Sequence, residues 1–367
     1  MKSKRNFIVV LLIFFWTLNI IPSVFGKTRN IYLVNFIMHN EIEGEGFSNA
    51  IGNNSQVSLE ATAYALNILD QYERNPHEKA SLQEVLIGKI EAMFDADTID
   101  LYDLSFLLSS LDSLDYSIEE TLLNKIYKYL NETEQSSGGF AFSNTSTSAS
   151  LSSTYYVVHL YSLIDKPIEN KTIHIEWVLS TYNTDGGYGG NINSVSTIPS
   201  TFHAISILNE LGNLIDIINV NETLSFLKSF YVDNNADTDN YGGYLPDNNA
   251  KHPLLSSTYY CVKGISLIKN TELNSIATSK WLLSRQNFQD GGFVDITEGF
   301  EQSASSVIAS YYAYFAYLTL KIFDPHLSSL SKEIWMVEFN YWILFIVLGS
   351  IGLIIAIATY WWRKRRI

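Results

Sequence analysis

One pattern occurs four times in this chain and limits what the chain can fold into. The four copies begin at Gly138, Gly186, Gly242 and Gly291. Each copy is a Gly-Gly-aromatic triplet, followed by a polar loop and then by a hydroxyl residue that opens an apolar run with helical spacing. A sequence that repeats one unit about every 50 residues is typical of stacked arrays or rings of a supersecondary structure.

The hydroxyl residue sets the spacing of these units. Counting at the same step back along the chain adds two units, the first of which follows a degraded turn, Gly44-Glu45-Gly46-Phe47. The residues in this place are Thr62, Ser105, Thr154, Thr201, Thr258 and Ser310. A hydroxyl oxygen can accept a backbone N–H, so this position predicts a helix N-terminus. The paired glycines allow the tight turn before each such helix.

The units differ in how apolar their two segments are. The run at 157–164 has a higher proportion of aliphatic and aromatic residues than the intervening segment at 173–182, as expected if the first helix packs on both sides and the second on one. Partner helices are predicted at 122–130, 173–182, 223–231 and 275–286, with a strand or first helix at 31–38. We therefore predict an all-α fold over residues 27–324, a closed α/α toroid of about six helix pairs, because closure buries the ends that an open solenoid must cap.

The N-terminal segment is apolar and differs from the repeats. Residues 7–21 are apolar except for Thr17 and Asn19, follow three basic residues, and precede a small-residue pattern that ends at Gly26. This order predicts a signal peptide over residues 1–26. The alternative is an uncleaved membrane anchor, although the run is short for a span.

The C-terminal segment has the features of a membrane anchor. Residues 342–362 carry no charge, are bounded by aromatic residues and are followed by a run of four basic residues. They predict a transmembrane helix over 341–362, with a linker at 325–340 and a basic cytoplasmic tail at 363–367. The predicted protein is a single-pass cell-membrane protein whose N-terminal body is extracytoplasmic.

The charge of the body argues against nucleic acid as a partner, and the cysteine content excludes an intramolecular disulfide. Without the three basic residues of the leader and the four of the tail, 17 Lys and Arg remain against all 38 Asp and Glu, a net charge near −21. Such a surface repels nucleic acid. The single cysteine, Cys261, cannot form an intramolecular disulfide. Sequons consistent with an extracytoplasmic body and with glycosylation occur at Asn53, Asn131, Asn144, Asn170 and Asn221.

The last repeat carries a resemblance to a known family. Its residues Trp281-Leu-Leu-Ser-Arg-Gln286 and Gln289-Asp-Gly-Gly-Phe293, followed by a Ser/Tyr-led apolar helix, resemble the repeat of protein prenyltransferase β-subunits and squalene/hopene cyclases. Four units match from about residue 138 to 320, and the two earlier units match less closely. The resemblance implies an α/α toroid, and it implies less about activity than about fold.

The resemblance also specifies ligands that this chain does not have at the corresponding positions. Prenyltransferases of the family bind zinc through Asp and Cys two residues apart at the start of one inner helix and His at the start of a later one. Those positions correspond to Ser256, Thr258 and Ser310, and hydroxyls are poor zinc ligands. The Asp-x-Asp-Asp run of the protonating cyclases is also absent, because the acids at 95–100 lack an adjacent pair. We therefore predict no zinc site and no cofactor.

Residues near the starts of the inner helices are the candidates for the site. We predict that the pocket is lined by Thr154, Thr201, Ser256, Thr258, Tyr259, Ser310 and Tyr311. Glu60 and Asp103, two positions before the hydroxyl, and His203 are acid–base candidates, with a helix-capping acid and an interfacial histidine as the alternative interpretations. Asp233, Asp237 and Asp239 offer oxygen atoms at intervals in one loop, either as a calcium site or as a solvated loop.

Two functions remain open at this point. In the first, the toroid is a non-catalytic binding module that holds a lipid, an isoprenoid or a protein partner near the membrane. In the second, it is a zinc-independent transferase or cyclase acting on an isoprenoid-like apolar substrate. The missing ligand set favours the first function.

Overall fold

The computed structural model describes residues 28–52, 56–212, 214, 219–287, 289–295 and 304–323. Residues 33–328 form one compact unit, and residues 1–32 with 329–367 form a second, of which only 28–32 are described. None of the described helices is both long and apolar enough to span a bilayer. The predicted signal peptide, linker, transmembrane helix and tail all lie outside the described residues, as does Asn53.

Twelve α-helices make up nearly all of the described secondary structure. In chain order, α1 to α12 are Arg29–His39, Leu59–Asp70, Lys79–Asp95, Leu101–Ser113, Glu120–Glu132, Leu151–Leu163, Lys171–Leu179, Ile198–Leu211, Val220–Lys228, Leu255–Lys269, Ser275–Ser284 and Val307–Phe323. A 3-10 turn at Asn270–Glu272 and one antiparallel pair, β1 Glu41–Ile42 and β2 Gly46–Phe47, complete the described elements. The segment at 31–38 therefore belongs to a helix and not to a strand.

The even-numbered helices form a closed inner ring. Each inner helix packs against the next, and α12 packs against α2, while the odd-numbered helices lie outside. The prediction of a closed toroid of six helix pairs is therefore confirmed. Closure is visible in single contacts: the N–H of Val307 donates to the carbonyl of Asn49 at 2.8 Å, and a Cβ added to Gly292 would lie 2.7 Å from the ring of Phe36 in α1.

Backbone contacts between successive loops repeat around the ring. The first N–H of α4 donates to the carbonyl of Phe142, in the loop before α6, and the first N–H of α6 donates to the carbonyl of Gly190, before α8. The first N–H of α10 donates to the carboxylate of Asp295 at 2.7 Å. Each donor group is one of the N-terminal N–H groups that a helix cannot satisfy internally, so one repeat caps the inner helix of the previous repeat.

The Gly-Gly-aromatic turns pack against the following outer helix. Gly242 has φ +98°, and a Cβ at this position would lie 2.5 Å from the carbonyl oxygen of Ala277 in α11. The second glycine, Gly243, lies against the ring of Trp281, which a Cβ would approach to 2.7 Å. Glycine is required here both for the left-handed backbone and for the close approach of two segments.

The hydroxyl residues take a different place from the predicted helix N-terminus. Thr62, Thr154, Thr201, Thr258 and Ser310, which we call the hydroxyl clamps, occupy the fourth position of their inner helices and are fully buried. Each accepts the N–H of the aromatic residue of its own turn, at 2.9–3.0 Å. The N-terminal capping role falls four residues earlier, for example on Ser150 and Thr197. The clamps therefore attach the Gly-Gly-aromatic turn to the inner helix at the point where its second turn begins.

The second unit is the exception to this arrangement. No Gly-Gly-aromatic turn precedes α4, which begins after the N-cap Asp100. The fourth position of α4 is Leu104, which is fully buried, and Ser105 is the fifth. The spacing rule was therefore one residue out of register in this unit, because no turn N–H requires an acceptor there.

Candidate functional site

The interior of the barrel, which we call the lumen, is lined by the two residues that follow the clamp position. These are the fifth and sixth residues of each inner helix. In chain order the pairs are Ala63 and Tyr64, Ser105 and Phe106, Tyr155 and Tyr156, Phe202 and His203, Tyr259 and Tyr260, and Tyr311 and Tyr312. Equivalent positions on six parallel helices lie at the same depth in the ring, so these side chains form one mainly aromatic layer.

The rings of this layer pack against each other across the lumen. Tyr64 stacks on Tyr311 with a centroid distance of 3.9 Å, which joins the first and last inner helices. Tyr155 stacks on His203 at 4.6 Å. The side chains leave a central cavity of about 150 Å³ among fifteen lining residues, nine of which are Tyr or Phe. The cavity is therefore bounded mainly by aromatic rings.

A second chamber of about 240 Å³, whose lining includes the charged residues Glu210 and Lys263, adjoins the central cavity. Tyr155, His159, Phe202 and Tyr259 line both spaces, so they separate the two. The chamber lies towards the C-terminal ends of α6, α8 and α10, and its polar side chains are His159, Ser206, Asn209, Glu210, Lys263 and Ser266. The two spaces thus differ in their lining: aromatic rings dominate the first, and charged and hydroxyl side chains contribute to the second.

The aromatic layer carries no formal charge at neutral pH. Burial raises the pKa of Tyr64, Tyr155, Tyr156 and Tyr259 well above the usual value for a phenol. Burial also lowers the pKa of His203 to about 3, and no carboxylate opposes that shift. A histidine in this state is a neutral ring at physiological pH, so His203 is part of the aromatic wall.

Glu60 is an acid that contacts this layer. It is the second residue of α2, is half-buried, and accepts a hydrogen bond from the hydroxyl of Tyr64. Burial raises the pKa of the Glu60 carboxyl, and the bond from Tyr64 partly opposes this shift. Its negative charge is close enough to contribute, after burial, to the raised pKa values of Tyr156 and Tyr260.

Asp103 lies elsewhere in the fold. It is the third residue of α4, whereas the second residue, Tyr102, is the counterpart of Glu60 and bonds to Ser152 at 2.7 Å. Burial and then the neighbouring Asp100 raise the pKa of Asp103, while Lys89 of the outer helix α3 lowers it. The three acid–base candidates therefore do not form one constellation: His203 lines the central cavity, Glu60 lies beside Tyr64 of the aromatic layer, and Asp103 lies near Asp100 and Lys89.

The predicted pocket residues divide into two groups. Tyr259 and Tyr311 line the central cavity. The clamps Thr154, Thr201, Thr258 and Ser310 are buried in the helix–turn contact, and Ser256, at the second position of α10, is half-buried. The sequence analysis missed most of the lining, although the signal was adjacent: an aromatic pair, or Phe-His, directly follows four of the clamps.

The positions considered for metals are occupied by other interactions. Thr258 and Ser310 accept turn N–H groups, and the buried Cys261 thiol is directed at the carbonyl of Leu227 at 3.8 Å, away from the lumen. In the acidic loop, the Asp237 carboxylate accepts from Asn240, and the Asp239 carbonyl accepts from Trp281. Asp233 is exposed, and within the described ranges no three His, Cys, Asp or Glu side chains converge as a metal site would require. The calcium hypothesis therefore has no geometric support here.

The four sequon asparagines that the structure describes are all exposed: Asn131, Asn144, Asn170 and Asn221. Asn131 differs from the others because its Oδ1 accepts the hydroxyl of Tyr161 at 2.6 Å, and Thr133 of the same sequon is buried.

Comparison with solved structures gives similar folds at low identity. Candida albicans protein geranylgeranyltransferase-I complexed with GGPP matches with a TM-score of 0.57 and 16% identity, over 78% of this chain and 90% of that chain. Type II terpene cyclase MstE from Scytonema matches with a TM-score of 0.52 and 14% identity, over 82% and 98%. A protein from Actinoplanes matches with a TM-score of 0.51 and 11% identity, over 80% and 97%. At these identities the likeness shows the fold alone.

Comparison at the level of sequence identifies the family. No curated protein sequence is significantly similar to this chain. The model of the prenyltransferase alpha-alpha toroid domain matches three overlapping stretches, residues 77–170, 145–249 and 240–339, which together cover more than half of the chain. The chain therefore belongs to the prenyltransferase alpha-alpha toroid domain family.

Proposed function

We propose that this protein is a binding module that takes one end of a lipid-like or other compact amphipathic molecule into the lumen of the toroid. The observation that carries the proposal is the lumen itself, an aromatic cavity of about 150 Å³ next to a second chamber of about 240 Å³ with charged residues in its lining. Each space is smaller than the roughly 300 Å³ at which pockets for drug-sized ligands begin. A compact group suits the lumen better than a whole long chain.

We also propose that the module is anchored in the cell membrane and faces the outside. The apolar segment at 341–362 with its basic tail, the leader at 1–26 and the acidic body support this topology. A protease added to intact cells should digest the body and leave a short fragment containing the tail. Protection of the body together with the tail would contradict the proposed orientation.

The binding function is tested on the full-length protein, extracted from its own membranes in a mild detergent and analysed by native mass spectrometry. We expect a co-purifying small molecule in the wild-type protein and its loss in Ser109→Trp, which fills the central cavity. Ser148→Trp, on an exposed loop, is the matched control and should retain the molecule. Equal ligand content in the two variants would contradict luminal binding, and a ligand-free wild-type protein would contradict the binding function.

A second function, zinc-independent catalysis on an isoprenoid-like substrate, is favoured by one observation. The half-buried Glu60 carboxyl has a raised pKa beside an aromatic lumen, and a raised pKa suits a general acid. The family resemblance brings GGPP and terpene substrates into consideration. The test is to incubate the protein with such a compound in the presence of a metal chelator. Conversion by the wild-type protein that is lost in Glu60→Gln would favour the enzyme over the binding module.

A further inference from the structure

The central cavity combines three features that bear on the chemistry of its ligand. Nine Tyr or Phe rings line it, and among the described residues its lining includes no acid, lysine or arginine. Its two histidines are neutral near pH 7, because burial lowers the pKa of His159 and of His203. The wall is therefore uncharged but rich in π faces and phenol oxygens.

Glu60 supplies a negative charge at this wall. Four phenols lie within its electrostatic reach, Tyr64, Tyr156, Tyr260 and Tyr312, and we call them the phenol cage. All four line the central cavity and come from four inner helices, α2, α6, α10 and α12. The ring of Tyr312 packs against those of Tyr64 and Tyr260, with centroid distances of 5.8 and 5.7 Å, and the hydroxyls of Tyr260 and Tyr312 lie 3.3 Å apart. Among the described ion pairs, none involves Glu60. Within the described part of the chain, this half-buried carboxylate therefore forms no ion pair.

Aromatic faces and an adjacent carboxylate attract cations by two independent effects. The quadrupole of each ring favours a positive charge over its face, and cages of several rings recognise quaternary ammonium groups. The carboxylate adds a direct attraction that is stronger away from bulk water. A neutral apolar group would use the rings but would leave the Glu60 charge uncompensated, and an anion would be repelled by it.

We infer that the central cavity binds an organic ammonium group, held by the phenol cage and Glu60. The inference rests on the proposed luminal binding function and names the chemistry of the bound group. A volume of about 150 Å³ suits a compact head such as trimethylammonium, and the second chamber of about 240 Å³ lies behind Tyr155, His159, Phe202 and Tyr259. Lys263 lines that chamber and not the central cavity, so the protein's own cation does not compete for the cage.

The test uses full-length protein in a neutral detergent and isothermal titration with three probes. These are tetramethylammonium, choline, and dimethylbutanol, the uncharged analogue of choline in which carbon replaces the nitrogen. We expect the two cations to bind at least about tenfold more tightly than the alcohol. The cation–π attraction and the attraction to the Glu60 carboxylate act only on a positive charge, whereas the alcohol can make only apolar contacts with the rings. This comparison needs no variant, so it does not depend on any substitution folding correctly.

Two variants locate the site. Glu60→Gln keeps a side chain that can accept the Tyr64 hydroxyl and removes the charge, and it should weaken choline binding by roughly tenfold. Asp103→Asn is the matched control, because this acid faces Asp100 and Lys89 outside the lumen, and its choline affinity should equal that of the wild type. Equal weakening in both variants would overturn the assignment to Glu60.

The remaining outcomes separate this inference from the proposed function. Equal affinity for choline and dimethylbutanol, or no heat with any cation, would overturn the ammonium site, while a co-purifying ligand lost in Ser109→Trp would still support luminal binding. Vesicles of phosphatidylcholine distinguish the source of the group. Competition between these vesicles and free choline would support a lipid headgroup, and its absence would support a free ammonium compound.

Discussion

The hydroxyl clamps show how one atom can determine a local structure. In each of five repeats the aromatic residue of the turn is buried at the helix–turn junction, for example Tyr188 at 1% exposure, so its N–H cannot reach water. The clamp oxygen is the acceptor for this N–H, at 3.0 Å in the case of Thr201. A buried N–H without an acceptor costs about 1–3 kcal/mol, which explains why only Ser or Thr occupies the position wherever a turn is present.

This reasoning predicts the effect of removing one clamp. Thr201→Val keeps the shape of the side chain and removes the oxygen, and we expect it to lower the free energy of unfolding by about 1–3 kcal/mol. The measurement is urea unfolding of the full-length protein in detergent, followed by circular dichroism. Thr238→Val makes the same chemical change on an exposed loop and should stay within about 0.5 kcal/mol of the wild type. Equal effects of the two substitutions would show that the clamp bond contributes nothing.

The residue scale also shows where reasoning from sequence reached its limit. The spacing identified the clamp positions in five of six units, but a hydroxyl at the start of an apolar run is compatible with a cap, a clamp or a pocket wall. Only the packing distinguishes them, since the clamp is chosen by a turn N–H that lies 13 residues earlier in the case of Tyr188 and Thr201. Because Thr201 is used in this contact, the pocket is lined by the two residues that follow it, Phe202 and His203.

At the scale of the elements, the paired glycines hold an inner-helix turn against the following outer helix. In Gly138, Gly186 and Gly242 a Cβ would lie 2.4–2.5 Å from a carbonyl oxygen of that helix, and φ is +89° to +98°. Neither the backbone conformation nor the distance admits another residue. The outer helices α7 and α9 have nine residues each, and each is in close contact with the glycine turn of the preceding repeat.

Two glycine-to-alanine substitutions should therefore have opposite effects. Gly242→Ala combines an unfavourable φ with a backbone collision and should cost about 2–4 kcal/mol of unfolding free energy. Gly88→Ala lies on the exposed face of α3, where a Cβ meets nothing within 4 Å, and it should stabilise by about 0.4–1 kcal/mol. Thermal unfolding of both variants beside the wild type is the check. A destabilised Gly88→Ala, or a neutral Gly242→Ala, would contradict this account of the turns.

At the scale of the whole molecule, the sequence predicted the ring but not what the ring encloses. Repetition and the contrast between inner and outer helices were sufficient for the six pairs, because both are periodic properties of the chain. The lumen depends on side chains from six helices meeting at one depth, as Tyr64 and Tyr311 do across 247 positions of the chain. No local pattern specifies such a meeting, so Glu60 was grouped with Asp103 by sequence offset although their surroundings differ.

The seam between the last and first repeats provides the final prediction. Asn49 accepts the N–H of Val307 with its carbonyl and that of Ile308 with Oδ1, at 2.8 and 3.1 Å, across about 258 residues of chain. Contacts so distant in sequence form late in folding because of their loop-closure entropy. Asn49→Ala removes the Oδ1 acceptor, a capping interaction of about 1–2 kcal/mol.

Its loss should therefore speed unfolding in urea by roughly five- to thirtyfold and leave refolding almost unchanged. Asn49→Asp retains the oxygen and adds a charge favoured at the N-terminus of α12, so it should unfold no faster than the wild type. Stopped-flow unfolding and refolding of the three proteins distinguish the cases. If refolding of Asn49→Ala slows by this factor and unfolding stays unchanged, the seam is already formed in the transition state, and closure is an early step and not the last one.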